Sequence, residues 1–173
     1  MTKTRKILKG VTINQAAMDI HETPAQSETI EQNLGQYGLS TYFTSRFADV
    51  GFDREKGLIM CVLKEAYVPI EKFKEIFAAI GKLASQRGFD KFIFDKRSLR
   101  AFHQPSMEWY FIEWKKEVYS YGINKHRKIL PAEAWFKKMV QIAKNQILTD
   151  YPDNIIHLLD IQYCNSVEEA MSK

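Results

Sequence analysis

The chain has 173 residues, enough for one domain with a sizeable core. Its hydrophobic fraction of 45% and aromatic fraction of 13% exclude a largely disordered polymer, and a net charge of +4 with a pI near 8.9 falls short of a nucleic-acid-binding signature. No apolar run approaches the roughly 20 residues of a membrane helix, so no membrane insertion is expected.

Residues 1–40 are rich in Thr, Gln, Asn, Ser and Glu, with scattered apolar positions such as Ile7, Val11 and Ile13. They read as an N-terminal extension, partly flexible, with a short strand near Ile7–Ile13; the rival reading is that the extension covers part of the main domain. Its basic start (Lys3, Arg5, Lys6, Lys9) is not followed by a continuous apolar stretch, so no secretory signal is expected. The α/β domain is expected over residues 41–173.

Phe47–Phe52 and Leu58–Leu63 read as two strands joined by the turn Asp53-Arg-Glu-Lys-Gly57. The second run is apolar at every position, which predicts cover on both faces. Pro69 opens a first helix with Ile70, Phe73, Ile76, Phe77, Ile80, Leu83 and Ala84 as its inward stripe, and Arg87-Gly88 stops it. Gly88–Asp95 then forms the central strand, which ends at an aspartate and the polar exit Lys96-Arg97-Ser98-Leu99.

A second helix is predicted from about Pro105 to Tyr121. Met107, Tyr110, Phe111, Trp114, Val118 and Tyr121 form its inward stripe, while Trp109, Ile112 and Tyr119 mark a second apolar face. Arg127–Leu130 is a strand candidate. Pro131 opens a third helix with Trp135, Phe136, Met139, Val140, Ala143 and Ile147 inward, and Asn154–Leu159 is the last strand candidate. Ser166 with Glu169 is a capping box for a short final helix.

The order ββαβαβαβα predicts an α/β fold. The expected sheet is mixed and mostly parallel, with about five strands, an N-terminal hairpin and three to four packed helices joined by right-handed crossovers.

This order, with its punctuation, resembles the bacterial STAS-like proteins, the SpoIIAA-like fold of anti-sigma-factor antagonists. The matching pieces lie within about residues 46–171. They are Phe52-Asp-x-x-x-Gly57, Phe92-Ile-Phe-Asp95-x-Arg97-x-Leu99, Trp109, Gly122-Ile, Lys128-Ile-Leu-Pro131 and Ser166-Val-Glu-Glu-Ala170. The resemblance implies a domain that acts by binding a protein partner and is switched by phosphorylation just past the central strand. Ser98 is the nearest counterpart of that phosphosite. The chain departs from the family's Asp-Ser-Ser-Gly-like turn, reading Asp95-Lys-Arg-Ser-Leu99 without a glycine.

Independently of that resemblance, Asp95, Arg97 and Ser98 fall at the carboxyl end of the central strand, where open α/β sheets place ligands, and Pro131 and Trp135 emerge at the same edge. Asp95, Arg97, Ser98, Trp109 and Trp135 are therefore the candidate ligand- or partner-binding residues. The competing reading of Asp95 is a turn cap paired with Arg97 or Arg100, solvated and of little energetic consequence. A phosphate on Ser98 would sit beside Lys96, Arg97 and Arg100. His103 reads as a helix-start residue. His21, His126 and His157 show no metal-binding spacing, and Cys61 and Cys164 belong to no CxxC pair. Absence of a disulfide framework fits a reducing, cytoplasmic setting.

No phosphate-binding glycine loop and no nucleophile elbow is present. The expectation is accordingly a non-enzymatic domain with no catalytic residue, no cofactor and no metal. Lys125, His126, Arg127 and Lys128 form a second basic cluster. It is expected as a solvated surface at the opposite end of the sheet from Lys96–Arg100, an arrangement that argues against one nucleic-acid track.

Three functional readings remain. The first is a protein-interaction or regulatory module of the STAS-like kind. The second is a binder of a small apolar or lipid-like ligand between the aromatic helix 105–121 and the sheet, favoured by the excess of aromatic residues there. The third is a homodimer paired through that helix or an edge strand.

Overall fold

The computed structural model describes residues 34–173. The strand expected near Ile7–Ile13, and most of the extension, lie outside the described residues.

The fold is α/β, built on a six-stranded mixed sheet in the order β1-β2-β3-β4-β5-β6. β1 (Ser40–Thr44), β2 (Ala48–Asp53) and β3 (Leu58–Leu63) run antiparallel as a meander. β4 (Lys91–Asp95), β5 (Lys125–Ile129) and β6 (Asp160–Cys164) continue parallel to β3. The expected class holds, with one strand more than anticipated. β1 escapes a pattern search because Ser40, Thr41 and Thr44 are exposed and its register shifts between Thr41 and Phe43, as suits an edge.

Each parallel strand is reached by a crossover in one direction, so right-handedness stacks all the long helices on one face. They are α1 (Ile70–Ala84), α2 (Gln104–Trp109) with α3 (Lys115–Ser120), and α4 (Ala134–Asp150). Their inner stripes bury Phe73, Phe77, Tyr110, Trp114, Phe136 and Val140 against Ile59, Cys61, Phe92 and Phe94 of the sheet. The opposite face has a thinner cover: the 3₁₀ turn Leu34–Tyr37 and the short α5 (Val167–Ser172) bury Met60, Val62, Ile93 and Ile129. β3 is buried at all six positions because it alone is covered along its length on both sides.

Several boundaries differ from the sequence reading: β4 begins at Lys91 rather than Gly88, and β5 is Lys125–Ile129 rather than Arg127–Leu130. α1 ends at Ala84, and the reversal that follows uses Arg87 at φ 62° as well as Gly88 at φ 85°. α4 starts at Ala134 rather than Pro131, and its Trp135 and Met139 face outward, since the buried stripe is Phe136, Val140, Ala143 and Ile147. Ile155–Leu158 is a 3₁₀ turn capped by Asn154, whose side-chain oxygen accepts from the Ile156 N–H at 2.8 Å; the last strand follows it. α2 and α3 are halves of one helix interrupted by the π turn Tyr110–Trp114, in which the Lys115 N–H donates to the Tyr110 carbonyl. Half of the capping box forms as expected, with Ser166 Oγ accepting from the Glu169 N–H, while the Glu169 carboxylate accepts from the N–H of Asn165, one residue before the cap.

Candidate ligand-binding site

The connection from β4 to α2 is pinned across three strand ends. Its Lys96 N–H donates to the Ile129 carbonyl at 2.9 Å, and its Arg100 N–H donates to the Ala66 carbonyl at 2.8 Å. Ser98 Oγ donates to the Leu63 carbonyl at 2.7 Å, with a longer contact to the Glu65 carbonyl. His103 caps α2, its Nδ1 accepting from the Ser106 N–H. A loop held this way keeps its shape without a ligand.

Under this loop lies a pocket of about 60 Å³ at the carboxyl edge of the parallel strands. Its wall is largely apolar and drawn from five elements: Leu63 of β3, Phe73 of α1, Phe94 of β4, Met107 of α2 and Phe136 of α4, closed by Phe102 and Tyr110. Only Lys96, His103 and Ser106 bring polar side chains beyond the two tyrosines. It shares the concave, mostly apolar character of small-ligand sites, with a few convergent polar groups, but at about 60 Å³ it is smaller than the roughly 300–1,000 Å³ such sites usually span.

Beside the pocket, the helix-facing side of β5 is charged where its neighbours are aromatic. Register places His126 next to Phe92, and Lys128 between Phe94 and Tyr163. His126, Arg127 and Lys128 are all buried, so the cluster expected as a solvated surface is a core strand. Arg127 faces the other side. There its two terminal nitrogens bond to the Asp160 carboxylate at 2.7 Å, the Asp160 carbonyl at 2.9 Å and the Lys173 carbonyl at 2.8 Å, and only Nε is left without a partner among the described residues.

Nothing comparable accounts for the helix side. Lys115 of α3 and Lys128 are both fully buried, at 0% exposure, and neither amine has a hydrogen-bond partner among the described residues. The same holds for the Tyr110 hydroxyl; neither His126 ring nitrogen makes a full hydrogen bond, although the Ile123 backbone lies close enough to favour its protonated form. The two amines lie over the same two rings. Lys128 Nζ is 4.1 Å from the Phe111 centroid and 5.4 Å from that of Tyr110, while Lys115 Nζ is 5.2 and 4.9 Å from them. Ring faces attract cations, and this offsets part of the burial. An unpartnered buried polar group still costs about 1–3 kcal/mol, and more when charged.

Burial therefore pushes both amines well below the usual lysine range, and each is lowered further by the neighbouring lysines, Lys96 and Lys144 included. Burial holds His126 well below its ordinary range, aided by the same two lysines, and drives the Tyr110 hydroxyl up. Lys96, which reaches the pocket wall, is buried over the Phe94 ring at 5.2 Å, and desolvation pushes it down to about 8.

A second depression of about 460 Å³ adjoins the first across Val140, which lines both. It is more polar, with Arg97, Arg100, Glu133 and Lys137 on its rim and Tyr163 and Cys164 in its wall.

The five sequence-derived candidates do not meet in one site. Asp95 points to the thinly covered face. It is 1% exposed and accepts from Arg97 in a bidentate grip, Nε at 3.0 and 3.1 Å and Nη2 at 2.6 Å, so the pair is a half-buried structural clamp rather than a solvated one. Ser98 spends its proton on the Leu63 carbonyl. Trp109 is half-buried against Phe73, with the Lys74 amine 5.5 Å over its ring. Trp135 stands 48% exposed on α4. Arg97 alone lines a depression.

Lys96, Lys115, His126 and Lys128 were not singled out for the pocket by the sequence. Lys115 carried a signal, because it falls four residues after Phe111 and three before Val118, inside the apolar stripe. Lys128 carried none, because Lys-His-Arg-Lys reads as surface wherever it occurs.

Among the described residues no group of histidine, cysteine and acidic side chains is disposed to hold a metal ion, and no helix is long and apolar enough to cross a membrane. No protein-family model, no curated protein and no solved structure matches this chain.

Proposed function

We propose that the domain is a non-enzymatic binding module that accepts a small, predominantly apolar ligand at the carboxyl edge of β3 and β4, beneath α2 and α4. The observation that carries this reading is the pocket itself: aromatic and aliphatic walls from five elements, framed by a loop that hydrogen bonds hold in place. Its position outside the carboxyl ends of parallel strands is where α/β sheets leave room for ligands. Hexanol is a suitable probe. Titration should shift the backbone NMR signals of residues 99–107 and of α4 around Val140. Ala101→Phe, which fills the rim, should abolish those shifts while leaving the melting temperature nearly unchanged. Shifts scattered over the surface, or unaffected by Ala101→Phe, would remove this reading.

A second reading, the protein-interaction module of the STAS-like kind, is favoured by α4. Trp135, Met139 and Ile142 recur at helical spacing on its outer face, each at least 40% exposed. Lys137, Lys138 and Lys144 flank them, and the only acid in the helix is Asp150 at its end. Two such faces would repel each other, so the partner that fits is an apolar helix with acidic flanks rather than a second copy. Light scattering at micromolar concentration should give a monomer mass; a dimer abolished by Trp135→Glu would assign the face to self-association instead.

A further inference from the structure

The pocket explains the aromatic residues but leaves three amines without a role. Lys96, Lys115 and Lys128 approach one another from three elements: the exit of β4, the first residue of α3, and β5. Burial lowers all three, Lys96 further lowers Lys115 and Lys128, Lys115 further lowers Lys128, and no acidic group stands among the causes acting on any of them. A methionine at either fully buried position would fill the same space without an unpartnered polar atom. The donors gathered here are the three amines and the Tyr110 hydroxyl; among the described residues the Lys115 and Lys128 amines and the Tyr110 hydroxyl have no hydrogen-bond partner. A set of donors with no acceptor is the complement of an anion.

Tyr110 links this set to the pocket. Its ring is part of the pocket wall and also carries both buried amines. It is the first residue of the π turn, a widened stretch of helix that is frequent at functional sites. Lys96 belongs to the same wall, so an incoming head group meets it first.

We infer that the ligand is amphipathic. Its oxyanion head, a carboxylate in the smallest case, ends against the amine of Lys96 at the pocket wall, with the amines of Lys115 and Lys128, which line neither depression, behind it over the Tyr110 ring. Its apolar body lies between Phe102, Met107 and Phe136. This rests on the pocket reading and adds the chemistry of the head group.

Isothermal titration of the full chain with hexanoate, hexanol and hexylamine separates the two claims. The expected order is hexanoate about tenfold or more tighter than hexanol, with hexylamine weakest. Lys96→Met, Lys115→Met and Lys128→Met should each narrow the gap between acid and alcohol, and Lys128→Met should melt no lower than the unaltered chain without ligand. Equal affinity for hexanoate and hexanol, or a preference for the acid that survives in all three variants, would overturn the head-group inference and leave the apolar pocket standing. No binding of any of the three would overturn both. The comparison of the three ligands on the unaltered chain decides the matter even if a variant fails to fold.

Discussion

At the scale of single residues, two polar groups beside the central strand have structural work that constrains any functional role. Asp95 is buried and its countercharge, Arg97, is 37% exposed on its side chain. Removing the arginine strands a carboxylate in the interior, whereas removing the carboxylate leaves an arginine that can turn to water. Arg97→Leu should therefore destabilise by about 2–3 kcal/mol in urea melts, less than a fully buried pair would cost, and Asp95→Leu by clearly less. Equal losses would mean that the pair is not buried as described. Ser98 gives its proton to the Leu63 carbonyl, tying the β4 exit to the end of β3. Ser98→Ala should cost about 1 kcal/mol, and Ser98→Glu, which mimics a phosphate, more than that. Phosphorylation here would thus act by loosening the loop that roofs the pocket; an unchanged melting temperature for Ser98→Glu would dissociate the two.

At the scale of elements, the chain's local patterns were informative in proportion to how evenly each face is covered. β3 could be bounded to the residue because six consecutive apolar side chains have no other use than a strand buried on both faces. α1 was clear because its stripe of Phe73, Ile76, Phe77, Ile80, Leu83 and Ala84 is buried throughout. β6 was misplaced because Asp160-Ile-Gln-Tyr-Cys lies at an edge and buries only Cys164, while the more apolar Ile155–Leu158 before it makes a 3₁₀ turn. β5 was found but misjudged: its four charged or ionisable residues in succession predict solvent, and only the register between Phe94 and Tyr163 puts Lys128 inside.

The edge β1 with its preceding turn is held by close approach at Gly51. A Cβ there would stand 2.9 Å from Leu34 Cδ1 and 3.2 Å from both Leu39 Cβ and the Ser40 carbonyl oxygen. The leucine tip can move but the backbone oxygen cannot, so Gly51→Ala should cost about 1–3 kcal/mol. It should also speed amide exchange at Leu39 and in β1 ahead of the rest of the sheet; uniform exchange would show that this edge is not docked through that contact.

At the scale of the whole molecule, the buried amines couple stability to pH. Facing one another across this part of the core are Cys61 of β3, Lys96, Tyr110, Lys115, His126 and Lys128 of β5, Lys144 of α4 and Tyr163 of β6. In the unfolded chain the lysines keep their protons to about pH 10.4, whereas folding holds Lys115 and Lys128 far below that and Lys96 near 8. Between about pH 6.5 and 8.5 the unfolded state therefore binds more protons, and stability rises with pH, by up to about 1.4 kcal/mol per pH unit for each amine neutral in the fold. His126 adds the same sign below about pH 6.5. Above about pH 8.5 the rise is opposed, because burial keeps protons on Cys61 and Tyr110 that the unfolded chain releases. Urea melts that are flat or falling from pH 6.5 to 8.5 would count against neutral lysines in the core.

The central claim, an amine cluster held without a counter-ion until an anion arrives, is tested most directly by following the Lys128 ¹³Cε signal of the full chain through a pH titration. The midpoint should lie well below about 10.4 in the free protein and move upward when hexanoate is added, as a partner restores the charged form. A midpoint at the ordinary lysine value, unmoved by hexanoate, would contradict it.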